Sequence, residues 1–428
     1  MALKAISLYS GIGGLDFGFE AAGFRTAVAV EMDPVACDTM RLNRRWPVLE
    51  SDIKDTLSQY ILSVADLKKG EADVLIGGPP CQPFSKSGYW ATGDVKRHDD
   101  PGFDTLMHYL RVLRDTKPRS FLLENVKGLA YRGKNEGLEF FLDGVREVNR
   151  IARTKYDVHW ATLNVADYGV PQNRERVFLI ASRDRTQFEF PAPRFGLNPP
   201  GRLFESWLEP FRTAWDAIGD LDERANGNLG TPIEESLIVG GKWGDLLPSI
   251  PEGDNYLHHT SRGKANGGRD LFGWRTRYWG FLLKLAKRLP AWTIQAKPGT
   301  ATGPFHWNSR RLSARELCRL QTFPEQLKFN YGRTQIQKML GNAVPSLMAE
   351  VLALEIRRQL LGTKRRALKP KLLPAVRSPV PQPEQVLPVP KKYHHLIGEH
   401  DDHPGKRRGP GSRKASRVDQ LELLTLKQ

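Results

Sequence analysis

Cys81 is where reactive chemistry is most concentrated in this chain. It stands in Gly77-Gly78-Pro79-Pro80-Cys81-Gln82-Pro83-Phe84-Ser85, just beyond the apolar run Asp73-Val74-Leu75-Ile76. A thiolate is a potent nucleophile, and two glycines and three prolines stiffen the loop enough to hold a side chain in place. The plain alternative is a small apolar residue in a rigid turn. Glu124 ends a second apolar run, Phe121-Leu122-Leu123, and precedes Asn125-Val126; an acid there is either a helix N-cap or functional. In Gln172-Asn173-Arg174-Glu175-Arg176 the two arginines alternate into a strand, so both guanidinium groups share a face. They suit an electron-rich partner, or else a solvated edge strand. Tyr9-Ser10-Gly11-Ile12-Gly13-Gly14-Leu15-Asp16 turns a strand into a helix, and Glu31 follows 20 residues after Gly11. Such a turn offers free N–H groups, and such a carboxylate suits a ribose diol. Asp16 stands where GxGxxG has its third glycine, which fits a nucleoside lacking pyrophosphate; an ordinary tight turn is the alternative.

These residues need strands ending beneath them. Residues 5–9, 26–30, 73–76, 120–123, 158–163 and 176–181 read as strands, and residues 103–116 carry apolar positions at helical spacing. Several strands are apolar almost throughout, as strands buried on both faces are, so residues 1–183 read as a doubly wound α/β domain. Residues 184–305 are rich in Gly, Pro, Asn, Trp and Arg with weak periodicity and read as a smaller, loop-rich domain. Helical patterns return at residues 313–321 and, as one long amphipathic run, at 335–361. Beyond residue 362 the chain has 15 basic and 6 acidic residues and nine prolines, so residues 363–428 read as a largely disordered basic tail.

Composition narrows the partners. The chain of 428 residues is 40% hydrophobic, enough for two cores, and carries a net charge of +16, which would attract phosphates or simply keep a surface soluble. Three widely spaced cysteines, Cys37, Cys81 and Cys318, offer neither a metal cluster nor a disulfide framework. The expectation is a reducing, cytoplasmic location, with no metal, no signal segment and no membrane span.

In this order, the motifs resemble the cytosine-C5 DNA methyltransferase family of bacterial modification enzymes, over residues 4–361 with a gap in the loop-rich middle. Tyr9-Ser10-Gly11-Ile12-Gly13-Gly14 is similar to its cofactor loop, with Tyr9 in place of the usual Phe. Pro79-Pro80-Cys81-Gln82 is similar to its nucleophile motif, Glu124-Asn125-Val126 to its acid motif, and Gln172 with Arg174 and Arg176 to its arginine motif. Arg311 to Pro324 resembles the motif that supports the recognition domain, and Gly341-Asn342-Ala343-Val344-Pro345 the last motif, which returns to the cofactor pocket.

The resemblance implies a Rossmann-like sheet that binds S-adenosylmethionine, and Cys81 adding to C6 of a cytosine flipped out of duplex DNA. Glu124 would act at N3 and the exocyclic amine, Arg176 near O2, and Arg174 in orienting the site; the base that takes the C5 proton is left open between ordered water and a side chain. Tyr9, Gly11 and Ile12 would surround the methionine part and Glu31 would hold the ribose hydroxyls, with Gly13 and Pro80 also in the cofactor site. Met32 would pack on adenine, Asp52 and Ile53 would frame its N6 group, and Asn342 and Val344 would close the pocket. Met32 also reads as core and Asp52 as a helix N-cap. Residues 184–305 become the target-recognition domain and 306–362 the return to the catalytic domain. Gln82, Ser85, Arg275 and Arg277 are candidate DNA contacts, though Arg275 and Arg277 beside Trp274 and Tyr278 equally suit a small aromatic core with solvated arginines. The tail either adds phosphate contacts or is inert. The expected protein is a monomer, either a solitary methylase or one paired with a restriction endonuclease that acts separately. Roughly 120 residues between Arg183 and the next shared motif separate it from RNA-directed members, whose recognition regions are compact.

Overall fold

The computed structural model describes residues 2–80, 101–130, 136–197, 208–222, 235–263, 270–275, 278–362 and 369–400. Its centre is a seven-stranded sheet of β1 (Leu3–Leu8), β2 (Phe24–Glu31), β3 (Val48–Glu50), β4 (Val74–Gly77), β5 (Ser120–Val126), β6 (His159–Asn164) and β7 (Glu175–Ser182), in the order β3-β2-β1-β4-β5-β7-β6. Neighbours are parallel except β7, which runs antiparallel to both β5 and β6. All six expected strands are present, five with ends within two residues of expectation and β5 running three residues further, to Val126. β3, three residues at the sheet edge, was too short to show a period.

Alternation along the strands divides the apolar side chains between two faces. Ile6, Val28, Leu75, Phe121 and Leu179 pack on one side with α3 (Ser58–Val64), α4 (Pro101–Thr116) and α5 (Glu136–Ala152). Ala5, Val74, Ile76, Leu122 and Phe178 pack on the other against α1 (Gly14–Ala21) and, from the end of the chain, α9 (Ser346–Gln359). This is the doubly wound arrangement. Gly18 lets α1 and α9 meet closely, since a Cβ there would lie 2.3 Å from the Ser346 carbonyl oxygen and 2.4 Å from the Ala349 Cβ.

A third core joins Ile12, Phe17 and Ala36 of α2 (Pro34–Asn43) to α6 (Ala214–Ile218), Ile294, Trp307, α7 (Ala314–Leu320) and α8 (Arg333–Asn342). A fourth, around Leu246, Leu247, Tyr256, Leu271, Leu282 and Phe305, lies within the loop-rich stretch.

Two expectations need correction. The long final helix is broken into α8 and α9, with Ala343 extended (ψ 152°). Pro345 has no N–H to donate and disfavours helical backbone at the residue before it. The stretch Arg333–Gln359 has the length and composition of a membrane span, yet 72% of its most apolar window is buried in protein. Second, residues 369–400 of the tail are packed: Leu372 and Leu373 on the second core, Val380 on the third, Tyr393 inside the fourth. The disorder argument holds for a segment that must build its own core; these few apolar side chains enter cores that already exist. Residues 401–428 lie outside the described residues.

Candidate active site

The strand order reverses between β1 and β4, and open α/β sheets bind ligands at the C-terminal ends beside such a switch point. There a cavity of about 550 Å³ is lined by Tyr9 to Ile12, Glu31, Met32, Asp52, Ile53, Pro79, Pro80, Glu124, Arg174, Arg176, Asn342 and Val344, among others. Twelve of the sequence-derived residues thus share this cavity with Gly11, and Gly13 is not among its lining residues. Cys81, Gln82, Ser85 and Arg277 lie outside the described residues.

The glycine turn is built on left-handed backbone, with φ of 53° at Tyr9, 54° at Gly11 and 85° at Gly13. Gly14 sits so close to Val344 that a Cβ would fall 2.4 Å from its carbonyl oxygen, which locks the last motif onto the first. Glu31 accepts the Gly11 N–H at 2.8 Å through one carboxylate oxygen and the Met32 and Asp33 N–H groups at 2.9 Å through the other. Met32 is 64% exposed, so its reading as core is wrong. Asp52 accepts the Lys54 N–H at 3.0 Å in a local turn and does not cap α3, whose N-cap is Leu57. That N–H, with the Lys54 ammonium, holds its carboxyl below the usual range. Tyr9 donates its hydroxyl to the Thr105 carbonyl at 2.7 Å, and burial pushes its phenol upward.

At the other end of the cavity Glu124 is buried and accepts Arg176 Nε at 2.9 Å. Burial raises its pKa, while Arg176 and Arg174 work in the opposite direction. It lies within β5 and caps no helix. Arg174 is only 2% exposed and donates to the carbonyls of Ile294 (3.3 Å) and Gly341 (2.8 Å), tying three distant segments together. Because β7 is interior, the solvated-edge reading of the arginines fails. Asn125 Nδ2 donates to the Pro79 carbonyl at 3.2 Å, bracing the loop that leads to Cys81.

Sequence reasoning missed several supports. Asp16, fully buried, accepts the hydroxyls of Ser7 and Thr26, both at 2.9 Å, beneath the glycine turn; burial lifts its pKa to about 6. Its only signal was its place in the glycine pattern. Arg111 holds the Ile53 and Thr56 carbonyls at 2.6 and 3.0 Å, and Lys338 pairs with Asp33 at 2.7 Å on the rim; neither had a local signature. Cys37 and Cys318 are buried free thiols pushed up to about 12, far from nucleophilic. Among the described residues no group of three or more His, Cys, Asp or Glu is placed to hold a metal. Arg275 is exposed and lies against Tyr278, whereas Trp274 stacks with Arg262 at 3.6 Å; the aromatic core is instead formed by Trp243, Tyr256, Phe272 and Phe281.

A sheet with one reversed strand, and a carboxylate-bearing glycine turn at its switch point, define a doubly wound α/β protein with a ligand cavity at the strand ends. Comparison with known proteins narrows this. The family model described as C-5 cytosine-specific DNA methylase matches residues 3–358, and the chain belongs to that family. It is 35% identical over 383 residues to the Type II methyltransferase M.SacI of Streptomyces achromogenes, spanning 84% of this chain and 93% of that protein. It is 44% identical over 229 residues to the Type II methyltransferase M.AquIA of Picosynechococcus, spanning 52% and 90%. A solved DNA modification methyltransferase encoded within an Escherichia coli prophage shares the fold, with a TM-score of 0.57 at 21% identity over 84% of this chain and 100% of that one. The protein is therefore a DNA (cytosine-5-)-methyltransferase of the restriction–modification type.

Proposed function

We propose that the protein methylates C5 of a cytosine flipped out of a specific duplex site, with S-adenosylmethionine at the glycine-turn end of the cavity and the cytosine at the Glu124–Arg176 end. The observation that carries this reading is the continuity of the two walls, with Pro80 on the cavity and Cys81 next in sequence.

The donor set fits the cofactor. Glu31 is held by three backbone N–H groups with its carboxylate on the cavity wall, where it suits a ribose diol. Met32 offers an exposed apolar face for adenine, and Asp52, kept ionised, suits its amine. Tyr9, Gly11, Ile12, Gly13, Ile53, Pro80, Asn342 and Val344 complete the pocket. S-adenosylmethionine supplies an electrophilic methyl group for C5. The residues' work is to make C5 nucleophilic. The Cys81 thiolate bonds to C6, and the electron pair displaced from the C5–C6 double bond becomes available at C5. Glu124 shares its proton with N3 and accepts from the exocyclic amine, and Arg176 donates toward O2, so that negative charge on the ring is met. Arg174 holds the Ile294 and Gly341 segments around them. Loss of the C5 proton then returns an electron pair to the ring and expels the thiolate.

Residues 184–305 serve as the recognition unit, with Gln82, Ser85, Arg275 and Arg277 reaching DNA, and 306–362 return the chain to the catalytic body. The enzyme acts as a monomer, and any partner endonuclease acts separately. Cys81→Ser tests the mechanism: cofactor binding by calorimetry should be kept while methyl transfer falls roughly 10⁴-fold or more. Wild-type enzyme should also form a covalent adduct with duplex carrying 5-fluorocytosine, because fluorine cannot leave as a cation. Near-normal turnover of the serine variant would sink the thiolate mechanism.

A further inference from the structure

Residues 369–400 run along the molecule as a strap with three anchors. At the first, the Lys371 and Leu372 N–H groups donate to the two oxygens of Glu350 on α9, at 2.7 and 2.9 Å. At the second, Arg377 donates to Asp216 on α6 through its backbone N–H (2.8 Å, to Oδ1) and its Nε (2.9 Å, to the carbonyl), and Arg212 Nε holds the Pro374 carbonyl at 3.1 Å. At the third, Glu384 meets Lys287, a buried ammonium that also pairs with Glu252, at 3.0 and 2.5 Å. Beyond it Tyr393, 2% exposed, stacks on Trp243 (5.8 Å between centroids, 16° between planes) and donates its hydroxyl to the Lys242 carbonyl at 2.7 Å.

The first anchor belongs to the catalytic body, since α9 packs on α1 behind the glycine turn. The third belongs to the loop-rich stretch, whose core Tyr393 helps to fill. Between them Pro374, Pro379, Pro381 and Pro383 restrict the backbone, as Pro388 and Pro390 do between Glu384 and Tyr393, so the strap has little slack. The third core already joins part of the loop-rich stretch to the catalytic body, and a tie with little slack adds to it by fixing how the fourth core faces that body.

We propose that this strap orients the loop-rich unit toward the cavity, with Glu384 and Tyr393 as positioning residues for DNA recognition; the inference rests on residues 184–305 being the recognition unit. Neither residue touches the cavity, so their effect is on how often the unit stands in register with it. If a loosened strap leaves the unit in register a tenth of the time, the apparent KM for DNA rises about tenfold while the cofactor pocket is untouched.

The test uses the full chain with Glu384→Gln and Tyr393→Ala combined, sheared unmethylated genomic DNA as substrate, and calorimetry with S-adenosylmethionine alone. The expected result is a KM for DNA raised about tenfold with cofactor affinity within about twofold of wild type. Tyr393→Phe, which keeps the ring stack, should return KM close to wild type. An unchanged KM for DNA in the double variant overturns the proposal. So does a cofactor affinity that falls in step with it, which is the signature of general unfolding. If wild type fails to methylate DNA at all, the fault lies in the functional reading and not in the strap.

Discussion

Glu124 is pulled in two directions. Burial favours its neutral acid and two guanidinium groups favour its carboxylate, and burial prevails, so the pKa is raised. The neutral form that shares a proton with N3 therefore persists to higher pH than in a free glutamate, and activity is lost on the alkaline side as that proton leaves. Glu124→Gln should cost roughly 10²–10⁴-fold in kcat/KM and abolish that alkaline limb. Arg176→Met removes a lowering influence and should move the limb to higher pH while costing about 10²–10³-fold. A pH–rate profile in Glu124→Gln that overlays wild type would rule out the proton-sharing role. Asp16 makes a separate prediction about stability. Its pKa is raised from 3.8 to about 6, so the folded state binds a proton that the unfolded chain has already released. That contribution is whole below pH 4 and is lost as pH climbs through 6, amounting to about 2–4 kcal/mol. Urea midpoints of wild type and Asp16→Asn, measured from pH 4.5 to 7.5, should diverge in favour of the variant as pH rises; parallel curves would contradict the assignment.

Among the elements, the contact of α1 with α9 decides whether the two ends of the described fold can meet. Gly18→Ala would drive a methyl group into the backbone of α9 and should destabilise the protein by about 1–3 kcal/mol in urea. Because Val344 lies two residues before α9, cofactor affinity should weaken as well; an unchanged midpoint would show that the helices separate at no cost. This contact also marks the limit of what sequence could disclose. Val74-Leu75-Ile76 and Phe121-Leu122-Leu123 announced central strands because burial on both faces leaves no polar position, and the motifs at their ends announced the cavity. The break between α8 and α9 was masked because apolar spacing continues across it, although Pro345 was the sign. Asp16 could be seen as a departure from a glycine pattern, but its two hydroxyl partners come from β1 and β2 and exist only once the sheet has formed. Lys287 likewise reads as one more surface lysine until Glu252 and Glu384 close on it.

For the whole molecule, the strap changes what the C-terminal region is for. Averaged composition hid it: the prolines and basic residues that mark the region as tail-like surround Leu372, Leu373, Val380 and Tyr393, each of which enters a core built by other segments. Two truncations should then behave differently, although both remove only tail-like sequence. A chain ended after residue 400 keeps every anchor described above. It loses seven basic and four acidic residues, a small part of the net +16, so long-range attraction for DNA is largely retained. Its thermal midpoint should stay within about 2 °C of wild type, and its KM for DNA within about twofold. A chain ended after residue 368 leaves the Tyr393 site empty, which alone costs about 3–5 kcal/mol. It also strips one of two carboxylates from the buried Lys287 ammonium, leaving that charge less compensated. Its thermal midpoint should fall by many degrees, with the loop-rich stretch becoming sensitive to proteolysis before the sheet does. Equal melting of the two truncated chains would show that residues 369–400 lie along the surface without bearing on it.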